Sequence, residues 1–136
     1  MEKQVIKAVI IDFREHDMKE PTFAVREIWN TLTNLQAIVG GNIEIPYISE
    51  ELAEMGIDMI INEEGKLEDL RTSILIADKE TDKILDEIKG NVVFTSHNEE
   101  GETVSLNDKQ IEYLKHNVYH NVAYTMEEGV VYVLYV

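Results

Sequence analysis

A chain of 136 residues, 44% of them hydrophobic, has the size and apolar content of one domain that buries roughly two-thirds of its unfolded surface, which excludes a staple-dependent miniprotein and a disordered acidic tail. Its formal net charge of −15, from 27 acidic against 12 basic residues, therefore lies on a folded surface and works against direct binding to nucleic acid or anionic lipid. With no cysteine and no apolar run near the roughly 20 residues of a membrane span, disulfides, thiolate metal sites and a spanning helix are excluded, and a soluble cytoplasmic protein is expected.

Gln4 to Ile11 reads as a strand through Val5, Ile6, Val9, Ile10 and Ile11, and Arg14 to Pro21 as a polar turn region. Thr22 to Val39 admits two readings. Val25, Ile28, Trp29, Leu32, Leu35 and Val39 fall on one helical face, as in a single long helix. Thr31, Thr33 and Asn34 are poor helix formers at its centre, and Thr33-Asn34-Leu35-Gln36 has the form of a capping box. Both favour a strand over Thr22 to Ile28, then a helix that opens at Asn30 or Thr33 and stops at a left-handed Gly40.

Asn42 to Ile48 alternates Ile43, Ile45 and Tyr47 as a strand does. Ser49 to Gly56 combines a serine N-cap, acids in the first turn and a terminal glycine, which predicts a helix of one or two turns. Ile57 to Asn62 is a strand ending in a turn at Glu63-Glu64-Gly65, and Asp78 to Ile88 reads as a helix with Ile84, Leu85 and Ile88 toward the core. Asn91 to Ser96 is a strand closed by the loop His97-Asn98-Glu99-Glu100-Gly101. Ser105-Leu106-Asn107-Asp108 caps a helix running to about Asn117, and Tyr119 to Met126 and Val130 to Val136 form a hairpin around Glu127-Glu128-Gly129. The sum is a single compact α+β domain over residues 1–136, mainly antiparallel sheet with two to four short helices, its C-terminal helix and hairpin spanning 107–136.

Four blocks stand in order between Leu35 and Leu106: Leu35-Gln36-Ala37-Ile38-Val39-Gly40-Gly41-Asn42-Ile43-Glu44, Asn62-Glu63-Glu64-Gly65-Lys66-Leu67, Gly90-Asn91-Val92-Val93-Phe94 and Gly101-Glu102-Thr103-Val104-Ser105-Leu106. Through them the chain resembles a family of small proteins of phages and conjugative elements of Gram-positive bacteria, catalogued as domain of unknown function 3846. The resemblance covers about half of the chain, residues 35–106, and implies a mobile-element setting without an established activity. Leu70-Arg71-Thr72-Ser73 departs from the Leu-Pro-x-Asn associated with the family at this point, so no family role carries over to that turn.

Acid is concentrated in one stretch. From Glu44 to Asp69 nine acidic residues stand against the single base Lys66, more than half of the net charge, whereas Asp78 to Lys89 alternates sign like an ordinary solvated face. Glu50, Glu51, Glu54, Asp58, Glu63, Glu64, Glu68 and Asp69 form the candidate acidic face for a basic protein partner, by imitation of DNA charge. The mobile-element setting suggests an inhibitor of host defence; the plain alternative is that the acids only keep the protein soluble. A second reading is a small-ligand module that sequesters a nucleotide or anion, with Gly40, Gly41, Asn42 and Asn62 as the ligand turn. A helix stop followed by a left-handed residue explains the same glycines. Asn62-Glu63-Glu64-Gly65 lacks calcium-loop spacing and reads as a solvated turn.

His116 and His120 stand at i, i+4 and His97 could add a third ligand. The His-Glu-x-x-His pattern is missing, however, and Asn117 and Val118 are read as ending the helix between the pair, so no metal is expected. No serine has nucleophile-elbow surroundings, and the chain is read as non-enzymatic and free of cofactor. The last strand is apolar on both faces. Val130, Tyr132, Leu134 and Tyr135 are its candidate oligomer positions in a homodimer, the alternative being a strand covered on both faces inside one chain.

Overall fold

The computed structural model describes residues 4–13 and 21–136. Arg14 to Glu20, most of the polar turn expected before Pro21, lie outside the described residues. Strands β1 (Val5–Asp12) and β2 (Thr22–Trp29) pair antiparallel along their whole length, Val5 opposite Trp29 and Asp12 opposite Thr22. Thr22 onward is thus a strand, and helix α1 is confined to Leu32–Val39. Its start lies at Thr31, whose extended backbone and hydroxyl, accepting from the Asn34 N–H at 3.1 Å, make it the N-cap; Gly40 at φ +83° ends it.

The remaining elements are β3 (Ile43–Glu44), α2 (Glu50–Met55), β4 (Ile57–Asn62), β5 (Thr72–Ala77), β6 (Ile84–Lys89), β7 (Val92–His97), β8 (Thr103–Val104), α3 (Asp108–Leu114), a π turn over Lys115–Tyr119, β9 (Val122–Thr125) and β10 (Gly129–Tyr135). The first sheet runs β2-β1-β7-β4-β3, with β8 added on β7. The second runs β6-β5-β10-β9, antiparallel except for the parallel pair β5–β10. No helix among the described residues is long and apolar enough to cross a membrane.

Alternation along the strands sets the layers. Ala8, Ile10, Ile60 and Val93 point to one face of the first sheet, where α1 covers them with Leu35 and Val39. Val9, Ile11, Met59 and Phe94 point to the other, against Ile74, Ile76, Tyr132 and Leu134 of the second sheet and Ile111, Leu114 and Val118 beside them. Strands β1, β4 and β7 are buried on both faces, which is why they read as nearly continuous apolar runs.

Three expectations need correction. Asp78 to Ile88 is not a helix: Asp78 folds an Asx turn, its carboxylate accepting from the Glu80 N–H at 2.8 Å, and the chain returns as edge strand β6 beside β5. Ile84 and Leu85, expected in the core, are exposed, and only Ile88 is buried. The strand expected over Asn42 to Ile48 shrinks to β3, because Pro46 has no N–H for a ladder and Ile45 and Tyr47 turn outward. The C-terminal helix does not end at Asn117; it widens into the π turn and continues to Tyr119. Of the two readings of the last strand, the one covered on both faces describes β10: it lies between β5 and β9, with Tyr132 and Leu134 buried in the core between the sheets and Val131 and Val133 packed with Leu75 and Ala77 on the opposite face. Of its candidate oligomer positions only Tyr135, 39% exposed, reaches far into solvent, so the two-sided apolarity that suggested a homodimer is met inside one chain.

Candidate functional site

The signature blocks converge on the C-terminal end of α1, where the last carbonyls of the helix lack intrahelical partners. Gly40 and Gly41 both donate to the Gln36 carbonyl, at 2.8 and 3.1 Å. Asn62, 3% exposed at the end of β4, donates from Nδ2 to the Val39 carbonyl at 3.3 Å and accepts at Oδ1 from the Glu64 N–H at 2.8 Å. Asn91 donates to the Ile38 carbonyl at 2.9 Å and accepts from the Phe13 N–H at 3.3 Å. Two asparagines from two different blocks thereby satisfy two consecutive carbonyls of the helix end. The fourth block ties in through β1, the Leu106 N–H donating to the Lys7 carbonyl and the Lys7 N–H to the Ser105 hydroxyl, both at 2.9 Å.

This geometry redefines the candidate ligand turn. The N–H groups of Gly40 and Gly41 are engaged with Gln36, the Asn42 carbonyl accepts from the Glu63 N–H at 2.8 Å, and the Asn62 side chain is committed at both ends. A Cβ on Gly41 would stand 3.0 Å from Asn62 Nδ2, so glycine is needed there for close packing. An anion site requires inward-pointing free N–H groups, and this turn has turned its own inward to the chain.

Seven of the eight acidic candidates fall into two groups, one on α2 before β4 and one in the turn after it, and Asp58 lies on β4 itself. Glu50, Glu51 and Glu54 share one side of α2 around a shallow depression with Lys79. Glu63, Glu64, Glu68 and Asp69 decorate the turn after β4, all exposed. Two of the eight are structural. Glu51 lies 3.5 Å from Lys79 and accepts from the Tyr113 hydroxyl; burial, then this carboxylate, hold the Tyr113 phenol above its ordinary 10.0, so it stays a neutral donor. Asp58 is half-buried and meets His97 Nδ1 at 3.0 Å across β4 and β7. Glu50, Glu54, Glu63, Glu64, Glu68 and Asp69 remain exposed, with no ion pair among the described residues.

Histidine geometry differs from expectation in one respect. The π turn keeps His116 and His120 together, ring centroids 6.0 Å apart. No group of three or more His, Asp or Glu among the described residues could hold a metal ion.

Sequence reasoning missed two arrangements. Arg71, at the position that departs from the family pattern, donates to the Glu128 carbonyl at 2.8 Å and lies 4.6 Å from the Phe13 ring centroid, while Lys89 reaches the Glu128 carboxylate at 3.7 Å. Nothing local signals a contact between residues 57 positions apart. The second is a cavity of about 190 Å³ between the ends of the two sheets, bounded by Pro46, Tyr47 and Ile48 on one side and by Leu67 and Ile88 on the other, with Lys66 bonded to Asp86 at its rim. Burial works against the charge of Asp86, but the Lys66 ammonium and the Glu87 N–H outweigh it and hold the carboxyl below its ordinary 3.8. A folded-state value below the unfolded one stabilises the protein above pH 3.8, and the contribution disappears as pH falls through the folded value. In Lys66→Met the Asp86 carboxyl is expected to titrate higher than in the native protein, as read by carbon-detected NMR. An unchanged titration would show that Lys66 does not hold it.

Fold and site together define an acidic two-sheet α+β protein whose signature residues fasten its own helix end and turns. The family model described as Domain of unknown function (DUF3846) matches residues 11–119, and the chain belongs to this family. The match reaches beyond the four blocks, from β1 to the end of the π turn. No curated protein and no solved structure matches the chain.

Proposed function

We propose that this chain is a non-enzymatic binding protein that captures a basic protein partner electrostatically, in the manner of an inhibitor that imitates DNA. The observation that carries the reading is the set of six exposed carboxylates on α2 and the turn after β4, Glu50, Glu54, Glu63, Glu64, Glu68 and Asp69, which make no ion pair among the described residues. Acids that only stabilised the fold would be expected to pair, as Glu51 and Asp58 do. B-form DNA carries about one negative charge per 1.7 Å of axis, and a partner shaped to that charge, such as a host-defence nuclease, would meet two anionic groups that flank β4.

The test is affinity capture from host lysate, identification of the partner by mass spectrometry, and measurement of its Kd. Electrostatic capture is expected to weaken steeply between about 0.01 M and 0.15 M salt, as the screening length shrinks from about 30 to 8 Å. Lysine substitutions at Glu50, Glu54, Glu64 and Glu68 are expected to weaken binding at least about tenfold, roughly 1.4 kcal/mol, while leaving the melting temperature within a few degrees because all four side chains are exposed. Glu51 is left intact because it anchors α2 to Tyr113. Binding that is indifferent to both salt and charge reversal would leave the acids with solubility as their only role.

A further inference from the structure

We infer that the cavity between the sheet ends is an anchor pocket for one arginine side chain of the basic partner. The inference rests on electrostatic capture and goes beyond it by naming the residue recognised and where. At about 190 Å³ the cavity is smaller than the roughly 300–1,000 Å³ typical of sites for drug-sized ligands, so it suits a single long side chain better than a nucleotide or cofactor. Its floor of Ile48, Ile61 and Ile88 would bury a methylene stem. Tyr47 and Leu67, 75% and 86% exposed, stand at the mouth with little packed over them.

Charge at the rim favours a cation. Glu44, Glu63, Asp86 and Glu87 stand against Lys66 and Lys89, and Lys89 is already engaged with Glu128. Asp86 holds a cation now: its carboxylate bonds the Lys66 ammonium, in a pair whose side chains are 65% and 47% exposed and which solvent therefore screens heavily. A guanidinium binds a carboxylate through two parallel N–H donors and stacks on an aromatic face, so arginine can displace Lys66 from Asp86 and lie against Tyr47 where lysine gains less.

Position adds a third argument. Pro46, Tyr47 and Ile48 also line the depression that extends to Leu52 of α2 and to Asp58, so the cavity lies between the acidic group on α2 and the acidic group after β4. A side chain that fills such a pocket excludes water from it, the arrangement in which interface anchors concentrate their energy.

The test is a ¹H–¹⁵N NMR titration with an N-acetylated, C-amidated hexa-arginine peptide, with hexalysine and hexacitrulline peptides alongside. Hexa-arginine is expected to shift the amides of Tyr47, Ile61, Lys66 and Leu67 most, and to bind about fivefold more tightly than hexalysine, the scale of one exposed cation–π contact. Hexacitrulline, which keeps the shape and loses the charge, is expected not to bind. Tyr47→Ala with Leu67→Ser is expected to weaken hexa-arginine about fivefold at an unchanged melting temperature, since neither side chain enters the core. Shifts confined to α2 and to Glu63, Glu64, Glu68 and Asp69, with Tyr47, Ile61 and Leu67 unmoved, or full affinity in the double variant, would overturn the anchor while leaving electrostatic capture standing. Equal affinity for hexalysine would overturn the choice of guanidinium, and no shift with hexa-arginine at any site would remove both readings.

Discussion

Asn62→Ala is expected to destabilise the protein by about 2–4 kcal/mol. The substitution strips a partner from the Val39 carbonyl and another from the Glu64 N–H, and an unsatisfied buried polar group costs about 1–3 kcal/mol. Urea unfolding should show a lower midpoint with little change in slope. A companion variant sharpens the result. Gly41→Ala alone pushes a Cβ to 3.0 Å from the Asn62 amide, whereas in the Asn62→Ala background that methyl meets free space, so the two substitutions should cost less together than the sum of their separate effects. If Asn62 served a ligand instead of the helix end, its removal would leave stability unchanged.

Phe94→Ala is expected to cost more, about 3–5 kcal/mol, with the melting temperature lowered by about 10–20 °C. Phe94 is fully buried on β7, opposite Val9 of β1 and Met59 of β4, in the layer shared by both sheets. Truncation leaves a void bordered by three strands that are themselves buried on both faces and cannot easily collapse into it. Thermal unfolding followed by circular dichroism measures the effect. A loss below about 1 kcal/mol would mean that the two sheets are not packed through this residue.

Local chemistry made much of this architecture readable before any coordinates. Ser49 and Gly56 bracket α2 because a serine N-cap and a left-handed glycine fix a short helix irrespective of tertiary context, and Ile57–Asn62 emerged with its observed bounds because turn residues flank it. The β5–β6 hairpin did not emerge. All six residues of β5 are buried and offer no alternation to read, while β6 is an edge strand whose charges imitate a helix face. Its identity comes from pairing with β5, which is tertiary information.

The candidate site divides along the same line. Which carboxylates exist, and how densely, is a matter of composition; which of them are committed depends on contacts such as Glu51 with Tyr113, distant in the chain. The glycine-rich turn looked like a ligand loop because its internal partners, Asn62 and Asn91, lie in other blocks. The cavity was not legible at all. Tyr47, Leu67 and Asp86 are brought to it by three separate segments.

The parallel pairing of β5 with β10 joins Ile74 to Tyr132, 58 positions later. At synthesis rates of about 5–20 residues per second, β5 is made roughly 3–12 s before the strand that will lie beside it. During that interval its ladder partner is the charged strand β6, and the opposite edge of a strand that is wholly buried in the finished fold stays open. The second sheet is therefore completed only when its last strand is made, and until then the edge of β5 is open to association with other chains. Slower elongation between Ala77 and Gly129 lengthens that exposure and is expected to lower the yield of native protein, even though the finished molecule would be identical.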